Sequence, residues 1–248
     1  MTESEAPLAR IMAIVERLRD PVQGCDWDRV QTFATIAPYT VEEAYEVADA
    51  IARNDTMALK DELGDLLFQV VLHSRIAAQQ NLFDLGDVAT AIADKMERRH
   101  PHLFGDADAR PDWEALKAAE RKDATSALDG VAIALPALMR AEKLQKRAAR
   151  TGFDWPDADG PRAKIDEELV EVSEAADADA CAEEIGDLLF AVVNYARHLG
   201  VDPETALRGA NAKFERRFRA IETVPGFAGL SLDAKEALWQ AAKAAQRD

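Results

Sequence analysis

The 248-residue chain has only two cysteines, Cys25 and Cys181, and no CxxC pair. They are read as reduced thiols of a cytoplasmic protein. No run of about 18 apolar residues occurs, so no membrane-spanning helix is expected. The opening MTESEAPLAR is too acidic and polar for a secretory signal. Strand-like alternation is missing, as are hairpin dipeptides such as Asn-Gly. No GxxxxGK[ST] loop and no kinase signature is present, which excludes the P-loop and kinase routes to nucleotide chemistry. Positive charge is also short, with 30 Lys and Arg against 46 Asp and Glu for a net charge of −16. A general nucleic-acid binder needs a basic surface to displace counterions, so that class is not expected. An acidic chain can still handle phosphates if it recruits cations and concentrates its bases locally.

What the chain has in abundance is helical periodicity. Leu59, Leu63, Leu66, Leu67, Val70 and Val71 recur at helical spacing, as do Ile185, Leu188, Leu189, Val192 and Val193. Ala, Leu, Glu, Lys and Arg, all helix formers, are plentiful. The fold class is read as all-α. Breakers divide the chain at Pro101, Gly105 and Pro111, at Gly130 and Pro136, and at Pro156, Gly160 and Pro161. In DADGPRAKIDEE, Pro161 is expected in the first turn of a helix. In APYTVEEAYE, Thr40 is expected to cap a helix, with Glu43 three residues on as in a capping box.

The chain repeats itself. ELGDLLFQVV (Glu62 to Val71) returns as EIGDLLFAVV (Glu184 to Val193), 122 residues later and identical at eight of ten positions. GCDW pairs with GFDW, EEAYE with EELVE, KMERR with KFERR, and WEALKAAER with WQAAKAAQR, in the same order. Matched blocks in one order imply duplication. The reading is a repeat over residues 8–122, a connector over 123–135 and a second repeat over 136–248.

The repeated polar residues suggest chemistry. Glu168 and Glu171 share one helix face, and Glu184 and Asp187 share a face of the next helix. Antiparallel packing would bring the four carboxylates together at a cost of several kcal/mol, roughly, unless a cation neutralises them. An all-oxygen set suits a hard ion, Mg²⁺ with Mn²⁺ as substitute. Glu43, Glu46, Glu62 and Asp65 form the matching set in the first repeat. Gly64 and Gly186, inside these acid pairs, suggest close approach by a backbone or ligand, or a packing role. Lys213 and Arg217 supply positive charge, matched by Lys95 and Arg99; each could also pair within its helix, with Glu215 or Glu97. Trp239 with Lys243 one turn on, matched by Trp113 with Lys117, could hold a base and a phosphate, or could be a half-buried core residue beside a surface lysine.

The EExxE and ExGD patterns, GDLLF, KFERRF, ERRHPHLF and the tandem repeat together resemble the MazG nucleoside triphosphate pyrophosphohydrolases, over about residues 8 to 248. The resemblance implies an all-α homodimer. It implies Mg²⁺-dependent hydrolysis of NTPs and dNTPs between the α and β phosphates, giving NMP and pyrophosphate. It assigns metal binding to Glu168, Glu171, Glu184 and Asp187, nucleotide contacts to Lys213, Arg217, Trp239 and Lys243, and the main catalytic role to the C-terminal repeat. Glu168 is the expected group on the attacking water, with Lys213 and Arg217 offsetting phosphate charge.

Two rivals differ in class. A di-iron bundle needs two Glu-x-x-His motifs; Glu97 to His100 is one, and Phe218 breaks its copy. A non-catalytic helical interaction module would bind nucleotide or metal without turnover.

Overall fold

The computed structural model describes residues 5–105 and 125–245, and every described element is helical, with no strand among the described residues. They fall into two compact units, one on each side of residue 121. The first holds α1 (Glu5–Leu18), α2 (Asp26–Arg29), α3 (Phe33–Ala52), α4 (Thr56–Gln79), α5 (Leu85–Arg99) and α6 (Pro101–Phe104). The second holds α7 (Ala137–Ala149), α8 (Asp159–Glu174), α9 (Ala178–His198), α10 (Pro203–Glu222), a 3₁₀ turn (Phe227–Gly229) and α11 (Leu232–Ala245). Cys25 and Cys181 are both free thiols. No described helix is long and apolar enough to cross a membrane.

Each unit is organised around a helical hairpin, α3 with α4 and α8 with α9. The hairpins follow from short, well-capped connections. Asp55 begins α4 by accepting the Ala58 N–H, and Asp177 begins α9 by accepting the Ala180 N–H. Such caps satisfy amide donors that a helix start leaves orphaned, an effect of about 1 kcal/mol each. Asp84 and Asp202 cap α5 and α10 in the same way, and Pro203 fills the first turn of α10, where its missing N–H costs nothing.

In the first unit, Val15, Ile36, Val71, Leu72 and Ile76 form a closed apolar cluster against Ile11, Phe33, Phe68 and Leu85. These residues come from α1, α3, α4 and α5, so four helices share one core. In the second unit, Pro161, Ala191, Val193 and Ile221 are buried beside buried Glu142, Gln145, Glu168 and Asn194. The interior of this unit is therefore partly polar, and buried polar groups need partners.

One helix start differs from the sequence reading. Thr40 does not cap a helix, because α3 starts seven residues earlier and runs through Pro38. Thr32 is the cap, in a reciprocal capping box with Thr35. Thr40 bonds instead to the Ile36 carbonyl and lies 3.0 Å from His73 Nε2. Pro38, in the second turn, removes one amide donor from the helix, yet α3 runs through it to Ala52. Pro161 sits in the first turn of α8 as expected.

Candidate metal and nucleotide site

The hairpins bring the paired acids face to face. In the second unit, ligand atoms of Glu168, Glu171 and Glu184 all lie within 4.8 Å of one another. In the first, Glu43, Glu62 and Asp65 do the same. Glu46 lies beside that set, where its carboxyl helps to push those of Glu43 and Glu62 upward. Asp187 lies outside the three-residue group but lines the same cavity as Glu168.

The electrostatic cost of this convergence is visible. The Glu171 carboxyl is pushed above the ordinary range, first by desolvation, then by Glu168 and the charge of Glu184. Glu43 is pushed up by desolvation and then by Asp65 and Glu46. Glu62 rises by desolvation and then by Glu46. Each case is an anion disfavoured by lost water and by other anions.

Glu168 is the centre of the second site. It is only 4% exposed, whereas carboxylates are almost never buried without a partner. Its Oε1 accepts from Lys164 Nζ at 2.6 Å, one helical turn earlier, and Lys164 also reaches Glu167 Oε1 at 3.0 Å. These bonds push the Lys164 ammonium upward, Glu168 first and Glu167 second. The other oxygen, Glu168 Oε2, is buried with no donor. An orphaned carboxylate oxygen beside two more carboxylates is the donor set a hard divalent cation requires. Glu171 is exposed and Glu184 half-buried, so water can complete the coordination shell, as Mg²⁺ prefers. The residues present therefore fit a divalent metal in both units.

A cavity of about 490 Å³ opens beside this cluster and is lined in part by Lys164, Glu168 and Asp187. That volume suits a small organic ligand. A second cavity, of about 530 Å³, lies in the first unit between α1, α4 and the start of α5, and none of Glu43, Glu46, Glu62 or Asp65 lines it.

The basic and aromatic candidates lie on α10 and α11. The Arg217 guanidinium sits over the Trp239 ring, 6.0 Å from its centroid. Phe214 meets the same ring at 5.2 Å and stacks on Phe218 at 5.9 Å. Trp239 is thus half-buried at the α10–α11 seam and already engaged by an arginine. Lys213 is exposed and Lys243 half-buried. Glu215 pairs with Arg219. In the first unit, Lys95 and Arg99 are half-buried on α5, while Trp113 and Lys117 lie outside the described residues. Gly64 and Gly186 have nothing within 4 Å of where a Cβ would stand, so no described backbone approaches them closely.

Several site residues were not read from the sequence. Lys164 was legible in principle, since it stands four residues before Glu168, the spacing at which helix charges pair. Gln145 and Asn194 were not, because nothing in sequence spacing marks a polar side chain that a core has buried. The role of Gly160 was equally hidden. A Cβ there would fall 2.0 Å from Trp155 Cδ1, so glycine is what lets the Trp155 ring lie against the start of α8.

Comparison with known proteins places this geometry. Residues 31–104 and 163–221 match the MazG nucleotide pyrophosphohydrolase domain. These segments carry the acid-bearing hairpins of both units. A nucleoside triphosphate pyrophosphohydrolase of Escherichia coli is 51% identical over 257 residues, covering 96% of this chain and 98% of that protein. The nucleoside triphosphate pyrophosphohydrolase/pyrophosphatase MazG of Thermotoga maritima is 43% identical, over 94% of this chain and 92% of that protein. A nucleoside triphosphate pyrophosphohydrolase of Mycobacterium tuberculosis is 38% identical over 66% of this chain and 53% of that protein. With both hairpins matched and nearly full-length relatives on either side of 45% identity, the chain belongs to the MazG nucleotide pyrophosphohydrolase family.

Proposed function

We propose that this protein is a nucleoside triphosphate pyrophosphohydrolase that splits NTPs and dNTPs between the α and β phosphates, with its principal site in the second unit. The observation that carries the site is Glu168, a buried carboxylate with one oxygen on Lys164 and the other unpartnered beside Glu171 and Glu184. Glu168, Glu171, Glu184 and Asp187 would hold Mg²⁺, with Mn²⁺ as substitute. Bound there, the ion would neutralise phosphate charge and lower the pKa of a coordinated water.

The chain's own groups have distinct tasks. Glu168 orients the attacking water and takes its proton. The water oxygen bonds to the α-phosphorus as the bond to the α–β bridging oxygen breaks, and pyrophosphate leaves with that electron pair. Lys213 and Arg217 offset charge on the phosphates. Trp239 holds the Arg217 guanidinium by a cation–π contact and so orients it, while Lys243 adds charge on the same seam. The first unit repeats the acid set, with Lys95 and Arg99 as its bases and Trp113 and Lys117 as their expected companions. The two repeats, residues 8–122 and 136–248, act as separate units joined by residues 123–135.

Self-association as a homodimer belongs to this reading. Leu63, Leu67 and Val70 on α4 are between 36% and 49% exposed, and Ile185, Leu189 and Val192 on α9 are between 41% and 52% exposed. Such stripes on the acid-bearing helices mark surfaces that a second copy would cover. Light scattering at micromolar concentration would give twice the chain mass; a monomer would refute this part.

The test of the site is Glu171→Ala and Asp187→Ala. Each should lower nucleotide turnover about tenfold or more while helix content by circular dichroism stays unchanged. Full activity in both would refute the metal assignment in the second unit. A non-catalytic helical interaction module would show no turnover to lose.

A further inference from the structure

The cavity of the first unit, about 530 Å³ between α1, α4 and the start of α5, stands apart from that unit's carboxylate cluster. We infer that it is a binding site for a small organic carboxylate with an apolar body, held by the Arg75 guanidinium.

Most of the lining is hydrocarbon. Ala9, Met12, Ala13, Val71, Ala78 and Leu85 supply it, and the small side chains on α1 and α4 leave the room. The volume falls in the range of small-molecule sites, which are apolar with a few placed polar groups. Of the side chains that line it, two can donate a hydrogen bond, Ser74 and Arg75. The Ser74 hydroxyl donates to the Val70 carbonyl at 2.8 Å and so is engaged within its own helix. Arg75 is left to recognise a ligand.

Arg75 is half satisfied. Its Nη2 donates to Glu16 Oε1 at 3.0 Å, while its Nε is buried with no acceptor among the described residues. Nε and Nη2 form one edge of the guanidinium, and such an edge takes a carboxylate by two parallel bonds. Glu16 fills one place on that edge and leaves the other. Its side chain is 66% exposed, and an exposed pair of this kind is worth little, so Glu16 can turn into water and yield to a ligand. Asp84, the other acid on the wall, is occupied at the start of α5, where its Oδ1 accepts the Asp87 N–H at 3.0 Å. These two acids select the ligand's charge. A phosphate dianion would be repelled, whereas a monoanion that exchanges with Glu16 leaves the local charge as it was.

The repeat serves as an internal control. In the register that aligns Glu62 with Glu184, Arg75 stands where Arg197 does and Leu72 where Asn194 does. Arg197 Nε donates to Asn194 Oδ1 at 3.0 Å, and both of its terminal nitrogens reach Asp154. Leu72 is 0% exposed, closes an apolar core and offers no acceptor. One unit therefore completes this arginine and the other leaves its Nε bare. A buried donor without an acceptor costs free energy that a ligand oxygen would recover.

The probe is octanoate, with octanamide as an uncharged control of the same shape. Each is titrated by calorimetry into the full-length protein without nucleotide or Mg²⁺, so the result does not depend on turnover. Octanoate should bind once per chain with a Kd of about 1 mM or tighter, and octanamide about tenfold more weakly or worse. Arg75→Met should weaken octanoate to the level of octanamide. Ala13→Leu, which fills the cavity from an exposed position on α1, should abolish binding of both and keep the helix content. Glu16→Ala, at the surface, should tighten octanoate about threefold by removing its competitor. Absence of saturable octanoate binding would overturn the inference, as would equal affinities for acid and amide. So would octanoate binding unchanged in Ala13→Leu, or not tightened in Glu16→Ala.

Discussion

Lys164 is the only described cation paired with the buried carboxylate at the centre of the site, so its removal is the sharpest perturbation. Consider Lys164→Met. Glu168, 5% exposed at its side chain, loses its bond at 2.6 Å and keeps its acidic neighbours Glu171 and Glu184. Breaking a fully buried pair by removing one partner costs about 3–5 kcal/mol. Lys164 is 36% exposed at its side chain, so solvent screens the lost attraction. The discounted cost is about 1–3 kcal/mol. At a urea m-value of about 2 kcal/mol/M the midpoint should fall by about 0.5–1.5 M. The assay is urea unfolding followed by circular dichroism near pH 7 in EDTA. Two additions separate this cause from general damage. Adding Glu168→Gln to Lys164→Met should recover most of the loss, because the uncompensated charge is gone. Excess Mg²⁺ should also recover part of it, by supplying the missing positive charge. A Lys164→Met protein with an unchanged midpoint, or one that neither addition rescues, would refute the reasoning.

The raised glutamates give a pH prediction with a definite sign. Glu171 keeps a proton to higher pH in the folded state than in the unfolded chain. Its contribution to stability is present below the ordinary glutamate range and is lost as pH rises through the raised value. In EDTA, Glu171→Gln should therefore raise the urea midpoint near neutral pH, and the gain should vanish near pH 4; a gain that persisted there would contradict the charge argument. The glycines predict opposite signs. Gly186→Ala meets open space and should stabilise α9 by about 0.5–1 kcal/mol. Gly160→Ala sets a Cβ against the Trp155 ring and should destabilise the protein despite the better helix propensity; unfolding midpoints of the two variants check both.

Much of this architecture was legible because it rests on short-range rules. The helices follow from apolar residues at helical spacing, and the hairpins from short connections with aspartate caps at Asp55 and Asp177. Glu168 and Glu171 share a face because they stand three apart, and the α8–α9 hairpin sets Glu184 against them while Asp187 falls outside the group. The helix start at Thr40 was misread because two capping patterns lie close together, and the Thr32–Thr35 box takes the helix through Pro38. What the sequence concealed are facts of packing. The buried amides of Gln145 and Asn194 and the seat of Trp155 against Gly160 come from different helices, and only tertiary contact brings them to one cavity. The exchange of Leu72 for Asn194 was present in the aligned repeats, yet it gained meaning only when one proved to close a core and the other to line a cavity.

The measurement that bears most directly on the central claim is product analysis of the purified protein with mixed NTPs and dNTPs and Mg²⁺, against an EDTA control. NMP and pyrophosphate should form, and EDTA should abolish both. Release of NDP and inorganic phosphate, or turnover undiminished by EDTA, would contradict the claim.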